Sequence, residues 1–382
     1  MTDRVIPGMK PGPGFILFGG TNDRALLALC RGFEEQKIPF GLIGRNERDL
    51  LKRSRYSSNY LLDRNSERLE LDQILQAVHI GNARFGPRKW VICPTSEYLN
   101  IVLFGMKEEL ARAGVEVATC ERALYEQLSN KASFRDYCES LGVPPPRIMD
   151  GRDGATSELP FVAKPKSNIS KEGKVLYPYL VREEWDRARF LDEADPEEFY
   201  LEEFVLGENW YLLYYFSADG TYVKGAQRNF LQQGMGKSVV LARAMDYPEP
   251  EVEQAFAKRL SADGYRGFIM VELRRTSSGK AVTIEANPRC WGPFQLTRDA
   301  DMGLFESFIT DHGGALENEK RSGRTASYLW LGGCIQALRS GKGLDRHAER
   351  TQVIALLGRS LGNDIYARKG SWSCFMSDLC KR

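Results

Sequence analysis

The chain has 382 residues, 42% of them hydrophobic and 27% charged, which excludes a disordered chain and a disulfide miniprotein and leaves room for several domains of roughly 100 to 200 residues each. Lys and Arg number 53 against 51 Asp and Glu, and a net charge of +2 gives no bulk electrostatic reason to bind nucleic acid or an anionic membrane. Any phosphate or carboxylate site is therefore local.

In chain order, the Pro- and Gly-rich tail up to Pro13 shows no apolar core and no small-residue cleavage pattern, so the cytoplasm is the expected compartment. Phe15 to Phe18 reads as a short buried strand ending in Gly19-Gly20-Thr21. Ala25, Leu26, Leu29, Cys30 and Phe33 recur at helical spacing, and Ile38 to Ile43 reads as a second strand, giving a βαβ unit. The Gly19-Gly20 turn either cradles a phosphate at a helix N-terminus or serves plain backbone geometry, since the full Gly-x-Gly-x-x-Gly pattern is absent. Val91 to Cys93 and Val115 to Val117, flanking a helix near Glu97 to Ala113, continue the alternation of an open parallel α/β domain over residues 1–120.

From Ser129 the pattern changes to a capped helix carrying Phe134, Tyr137, Cys138 and Leu141, closed by Gly142 and the Val143-Pro144-Pro145-Pro146 stop. Phe161 to Lys164, Phe199 to Val205 and Trp210 to Phe216 read as strands, and Asp219-Gly220 turns into another over Thr221 to Ala226. A helix near Pro250 to Ala262 and a hairpin of Gly267 to Arg275 with Ala281 to Pro288 complete an α+β body. Beyond residue 313 the chain reads as mainly helical, with Tyr328, Leu329, Leu331, Ile335 and Leu338 on one stripe. The longest apolar stretches run to about seven residues, far short of the roughly 20 that span a bilayer.

Eight cysteines without a Cys-x-x-Cys pair, and three separated histidines, His79, His312 and His347, argue against zinc, disulfide and Ser-His-Asp chemistry. Carboxylates, lysines and arginines remain. In the last hairpin, a turn at Ser277 to Lys280 sets Glu272 opposite Glu285 and Arg274 opposite Thr283. Alternation then puts Ile269, Val271 and Leu273 with Val282, Ile284 and Ala286 on an apolar face, and Glu272, Glu285 and Asn287 on the other. Directly opposed carboxylates, with Cβ atoms about 5 Å apart, repel unless a cation lies between them. Three hard oxygen ligands without Cys or His suit Mg2+ or Mn2+. The alternative is that Arg274 and Lys280 neutralise an exposed face. Arg289, beyond Pro288, is a fork-shaped anion clamp beside the carboxylates.

Glu272 followed by Glu285-Ala286-Asn287-Pro288-Arg289 resembles the ATP-grasp superfamily, in which an acidic residue and a Glu-x-Asn hold two Mg2+ ions. Ser129-Asn130-Lys131 resembles that fold's opening, and Phe161-Val162-Ala163-Lys164-Pro165 its second lysine strand. Leu201 to Glu208 resembles its adenine linker. The resemblance implies ATP and Mg2+ or Mn2+ as cofactors, with Glu272, Glu285 and Asn287 as metal ligands. It implies phosphate contacts from Lys131 and Lys164, adenine contacts from Glu202, Glu203 and Val205, and a ribose contact from Glu208 or Asn209. Arg228, at the end of a strand leading from the linker, is either a γ-phosphate residue or a surface arginine. The Gly234-Met235-Gly236-Lys237 turn either lines the acceptor side or is an ordinary loop. The family's glycine-rich phosphate loop is reduced in Lys166 to Lys174 to a single glycine, with Lys171 or Lys174 as an alternative source of charge.

Arg289-Cys290-Trp291-Gly292, with Tyr265-Arg266-Gly267-Phe268, is closest to the carboxylate-amine ligase branch that includes D-aspartate ligases and carbamoyl-phosphate-synthase-like proteins. The organisation so implied is an α/β pre-domain (1–120), a lid (121–205), a metal-binding subdomain (206–312) and a helical C-terminal segment (313–382). The implied reaction joins small-molecule carboxylate and amine substrates through an acyl phosphate, with Arg289 and Arg228 as catalytic residues and Trp291, Phe294 and Gln232 to Lys237 lining the acceptor pocket. A non-catalytic nucleotide-binding protein and a kinase-like enzyme are the rivals. Neither nucleic acid nor a membrane is expected as a partner, and a homodimer is implied by the family's habit.

Overall fold

The computed structural model describes residues 11–20, 22–64, 69–149, 154–166, 170–172, 176–317, 326–341 and 343–380. Its N-terminal part runs β1 (Gly14–Phe18), α1 (Asp23–Glu35), β2 (Phe40–Gly44), β3 (Tyr60–Asp63), α2 (Leu71–Phe85), β4 (Trp90–Ile92), α3 (Glu97–Phe104), α4 (Lys107–Arg112) and β5 (Val115–Val117). The strands form one parallel sheet in the order β3-β2-β1-β4-β5. Every residue of β1 is buried because both faces are covered: Phe15 and Leu17 pack toward α1, Ile16 and Phe18 toward α2 and α3.

Sequence patterning missed β3 and α2. Only Ile74, Ala77 and Gly81 of α2 are buried, too thin a stripe to register as a helical period. The single helix expected near 97–113 is two, with Gly105 closing the first. At the Gly19-Gly20 turn, a Cβ on Gly19 would stand 2.3 Å from Asp49 Oδ2, and Gly20 adopts φ 82°. A carboxylate, accepting from the Arg45 N–H, fills the space a phosphate would need, so the turn is backbone geometry. Thr21 lies outside the described residues.

Next come α5 (Arg122–Ser129) and α6 (Lys131–Ser140). The helix expected from Ser129 is capped by Asn130, whose side chain accepts from the N–H groups of Ala132 and Ser133. A small antiparallel sheet follows, in the order β7 (Tyr179–Val181), β6 (Phe161–Pro165), β8 (Phe199–Glu203), and α7 (Glu184–Glu193) supplies Phe190 to its core. The large sheet contains β9 (Glu208–Phe216), β10 (Tyr222–Gln233), β11 (Val239–Ala244), β12 (Gly267–Arg275) and β13 (Ala281–Asn287), with α8 (Pro250–Ala262), α9 (Phe294–Asp299) and α10 (Leu304–Asp311) around it. Strand β9 shows why the chain folds there: Trp210, Leu212, Tyr214 and Phe216 pack under α5, α6 and α8, while Tyr211, Leu213 and Tyr215 join the core shared with the N-terminal sheet.

The C-terminal segment is mainly helical, with α11 (Leu331–Arg339), α12 (Arg350–Ser360) and α13 (Trp372–Leu379), and adds two short strands to the large sheet. Strand β14 (Ser327–Leu329) pairs with β11 and β15 (Leu344–Arg346) with β10. The stripe expected from Tyr328 to Leu338 is therefore not one helix face: Tyr328 and Leu329 lie in β14, and Leu338 is exposed while Cys334 and Ala337 are buried.

One ion pair ties the N-terminal sheet to the body. His312 Nδ1 lies 3.2 Å from Glu116 Oε1, Lys89 contacts the same carboxylate, and together they hold Glu116 down to about 2 from an ordinary 4.5. A lowered folded value means stability that is present above pH 4.5 and lost as the pH falls toward 2. With Glu116 half-exposed, Glu116→Gln is expected to cost roughly 1 kcal/mol at pH 7. The gap between the urea midpoints of the two proteins should be narrower at pH 3 than at pH 7, closing only as the pH falls to about 2, and an equal gap at pH 3 and pH 7 would refute the pair's role.

Candidate functional site

The β12–β13 hairpin pairs Met270 with Asn287, Val271 with Ala286 and Glu272 with Glu285, as the sequence predicts. A bulge beyond Glu272 then shifts the register by one, so Leu273 faces Thr283 and Arg274 faces Val282. The expected Arg274–Thr283 pairing and the core-facing placement of Val282 and Ile284 are thereby corrected. Thr283 takes the inner face, donating through Oγ1 to Val143 O at 2.9 Å, while Ile284 turns to a cavity and its carbonyl accepts from Lys164 Nζ at 3.4 Å. Bulges re-aim side chains in this way because one extra residue reverses the alternation.

Glu272 is buried, and first that burial, then the Glu285 charge, raises its pKa above the usual carboxylate range. Its Oε1 accepts from Asn209 Nδ2 at 2.7 Å. Glu285 is exposed and accepts from Asn287 Nδ2 at 2.6 Å, and Asn287 Oδ1 accepts from Arg289 at 3.0 Å. Neither Arg274 nor Lys280 makes a described hydrogen bond or ion pair with either carboxylate, although the Arg274 charge acts on Glu272. The pair is two carboxylates with an amide beside them. Among the described residues there is no group of three or more His, Cys, Asp or Glu that could hold an ion alone. A cation here needs further oxygens from a ligand.

The cavity over this hairpin is about 840 Å³ and is lined by Lys131, Lys164, Glu202 and Glu208 as well as both glutamates. Lys131 opens α6, where burial and the Lys164 ammonium pull its pKa below the ordinary lysine value. Lys164 sits 2.8 Å from Glu202 Oε2, and Arg135 donates to Glu202 Oε1 at 2.7 Å. Glu202 Oε2 is buried, and its near partner is that Lys164 ammonium. Glu203, Val205 and the intervening Phe204 also border the cavity.

The structure separates the remaining expected residues. Glu208 faces the cavity, accepts from Trp210 Nε1 and holds Arg228 at 2.9 Å. Arg228 stands opposite Trp210 on β9 and Glu272 opposite Tyr211, so alternation puts them on different faces of the sheet, although Arg228 reaches the cavity lining. Asn209 is fully buried beneath the cavity, bonded to Glu272, Gln232 and Asn229, and supports a carboxylate instead of lining the space. Arg289 faces a separate crevice with Cys93, Thr119 and Arg266, toward the N-terminal sheet, and its donors go to Asn287 and the Cys290 carbonyl. Trp291, Phe294 and Gln232, expected in an acceptor pocket, are buried, and both rings pack against Phe268. Met235 and Gly236 line the same cavity as Glu202. Of the glycine-poor loop, residues 167–169 and 173–174 lie outside the described residues; Lys171 N–H donates to Glu198 at 2.7 Å.

Residues that patterning missed come from the C-terminal segment, where Asp345 and His347 line the cavity. Asp345 accepts from Arg182, just beyond β7 of the small sheet, at 2.6 Å and from Gly236 N–H at 3.0 Å, bridging the cavity's two walls. No local motif marks these positions. Arg274 was detectable, since period 2 places it on the face of Glu272.

A second cavity of about 830 Å³ lies around Glu116, Arg266 and His312, away from these carboxylates. Its Tyr215, Asp311, His312 and Glu116 side chains are bonded to one another.

No protein-family profile and no curated protein matches the chain. Solved structures do. N5-carboxyaminoimidazole ribonucleotide synthetase in its ADP complex aligns at 16% identity and TM-score 0.60, over 87% of this chain and 86% of that one. The same enzyme from Thermus thermophilus aligns at 16% identity and TM-score 0.56, over 82% of each chain. The biotin carboxylase domain of 2-oxoglutarate carboxylase from Hydrogenobacter thermophilus, in complex with MgADP, ADP and bicarbonate, aligns at 16% identity and TM-score 0.56, over 81% of this chain and 72% of that one. At this identity the likeness shows the fold alone, a mixed α/β architecture with a parallel N-terminal sheet.

Proposed function

We propose that this ATP-grasp chain is an ATP-dependent ligase that joins a small-molecule carboxylate to an amine, releasing ADP and phosphate. The observation that carries the reading is the buried Glu272 opposed to Glu285 on the floor of a cavity whose other walls present Lys131 and Lys164. Two carboxylates alone repel, and two lysines invite anions. A divalent cation and a nucleotide triphosphate satisfy both at once. The ligand-bound neighbours support the nucleotide: one is an ADP complex and another a MgADP and bicarbonate complex.

The residues fit Mg2+. Glu272, with its proton affinity raised by burial and by Glu285, has an unmet demand for positive charge, and Glu285 and Asn287 complete an all-oxygen set without Cys or His. Held there, the ion would supply Lewis-acid charge that offsets the negative charge developing in the reaction. The chain's own residues do the rest. Lys164 and Lys131 hold phosphate oxygens, Glu202 accepts the adenine amino group, the backbone of Glu203 and Val205 reads the adenine edge, and Glu208 takes the ribose. Asn209 fixes the Glu272 rotamer. Arg228, tied to Glu208, acts at the cavity rim.

In the reaction a carboxylate oxygen attacks the γ-phosphorus, the bond to the β-bridging oxygen breaks, and ADP leaves with that electron pair. Arg289, with no carboxylate partner among the described residues, holds the acyl phosphate in the crevice facing the N-terminal sheet. The amine nitrogen then attacks the acyl carbon, the C–O bond to phosphate breaks, and the amine's proton passes to solvent. Positioning and electrostatics dominate such transfers. No described helix is long and apolar enough to cross a membrane, and the substrates proposed are small and polar.

ADP release should be measured over a panel of carboxylates crossed with amines. The expected result is release that requires one acid and one amine, with hydroxylamine replacing the amine to give a hydroxamate. Binding of ATP and Mg2+ without ADP release from any pair would overturn the ligase reading.

A further inference from the structure

Arg274 extends from β12 two residues beyond Glu272, on the same face and into the same cavity. Its only described hydrogen-bond partner is His347 of the C-terminal segment, whose Nδ1 accepts from the guanidinium at 2.7 Å. An accepting Nδ1 puts the ring proton on Nε2, which donates to Gln232 Oε1 at 2.7 Å. Gln232 Oε1 also accepts from Asn209, and Asn209 in turn donates to Glu272. The nearby carboxylates are thus committed: Asp345 to Arg182 and the Gly236 N–H, Glu272 to Asn209.

An arginine in a cavity wall normally meets a carboxylate, because a part-buried cation without a counter-charge is costly. Here the protein supplies a neutral imidazole. Burial and the two guanidinia of Arg274 and Arg182 keep it neutral, pushing His347 down to about 2. A neutral acceptor orients the guanidinium fork without placing a carboxylate directly on it; the Glu272 and Asp345 charges act on it without a described hydrogen bond or ion pair, and the remaining N–H donors face the cavity. The arrangement differs from that of Arg228, whose charge Glu208 offsets.

We propose that Arg274 binds a phosphate of the nucleotide, and that His347, the residue that follows the C-terminal strand β15, is the positioning residue that presents it. The proposal rests on the nucleotide reading of the cavity given above. It makes the C-terminal segment part of the nucleotide site and not a cover over the sheet.

The test is calorimetric binding of ADP and of adenosine to the full chain and its variants. Arg274→Gln should weaken ADP by roughly 10- to 100-fold, the range for one charge-assisted contact, and leave adenosine within about twofold. His347→Asp places a carboxylate directly against the guanidinium, and it should also weaken ADP selectively while Arg274 stays in place. His347→Gln, a neutral replacement, should retain most of the ADP affinity. Melting temperatures of all variants identify any that do not fold, and the His347 variants then decide alone. Equal losses for ADP and adenosine, or none for either, would overturn the proposal. Wild-type protein that binds neither ADP nor ATP would sink the nucleotide reading itself, whereas wild-type binding that Arg274→Gln leaves unchanged removes only the role of Arg274.

Discussion

Glu285→Gln should lower ATP turnover by roughly 100- to 1,000-fold and, in the ligand-free protein, slightly raise stability. The two effects have opposite signs for one reason. Opposed carboxylates on neighbouring strands destabilise a sheet by about 0.2–1 kcal/mol, and replacing one by an amide removes that repulsion. Glu285 is the exposed member and accepts only from Asn287, so the amide fits without burying a new polar group. In the loaded site the same charge is needed to hold the cation and to stabilise transferred phosphate. Losing one preorganised electrostatic group typically costs about 100- to 1,000-fold in rate. The checks are a urea midpoint without ligand and an ADP-release rate with saturating Mg2+. A variant with lower stability and normal turnover would contradict the assignment on both counts, and one whose rate recovers fully at high Mg2+ would limit Glu285 to ion affinity.

Glu202→Ala should be among the most destabilising single changes in the chain. Glu202 is only 2% exposed, and its two oxygens meet Arg135 at 2.7 Å and Lys164 at 2.8 Å. Removing the shared anion strands two part-buried cations, and breaking a buried ion pair from one side costs about 3–5 kcal/mol. The damage is also topological, since Arg135 belongs to α6 and Lys164 to β6, so this carboxylate joins a helix on the large sheet to the small three-stranded sheet. Urea unfolding of Glu202→Ala and of the double variant Arg135→Met/Glu202→Ala measures the effect. The double variant should recover part of the loss, because one stranded cation has gone. Additive losses would mean that the two residues do not interact.

Much of this was legible in the sequence, and the reasons are local. Helix α8 carries Pro250 at its start and an apolar stripe ending at Leu260, and it runs over Pro250–Ala262 as expected. The Glu272–Glu285 pairing followed from a tight turn and strict alternation on both strands. Its failure beyond Glu272 was not legible, because a bulge with Ile284 as the extra residue obeys contacts made elsewhere, with Thr283 bonded to Val143 and Lys164 to the Ile284 carbonyl. The Asn209 side chain could not be assigned from the linker. A one-residue difference decides whether a side chain faces the cavity or the layer beneath it.

By itself the sequence determined the alternation of strands and helices, the grouping of lysines, linker and carboxylates in one order, and the opposition of two glutamates that demands a cation. Those properties depend on neighbours within a few residues or across one turn. Only the tertiary structure decided which charges remain free. Arg228 is offset by Glu208 in direct contact across the β9–β10 pairing, whereas Arg274 is met directly by a histidine just beyond a distant strand, with the Glu272 and Asp345 charges acting on it without a described ion pair. The near-zero net charge is a sum over the chain, and a sum carries no information about which cation sits beside which anion. Long-range packing sets that pairing, and the pairing sets where an anionic ligand can bind.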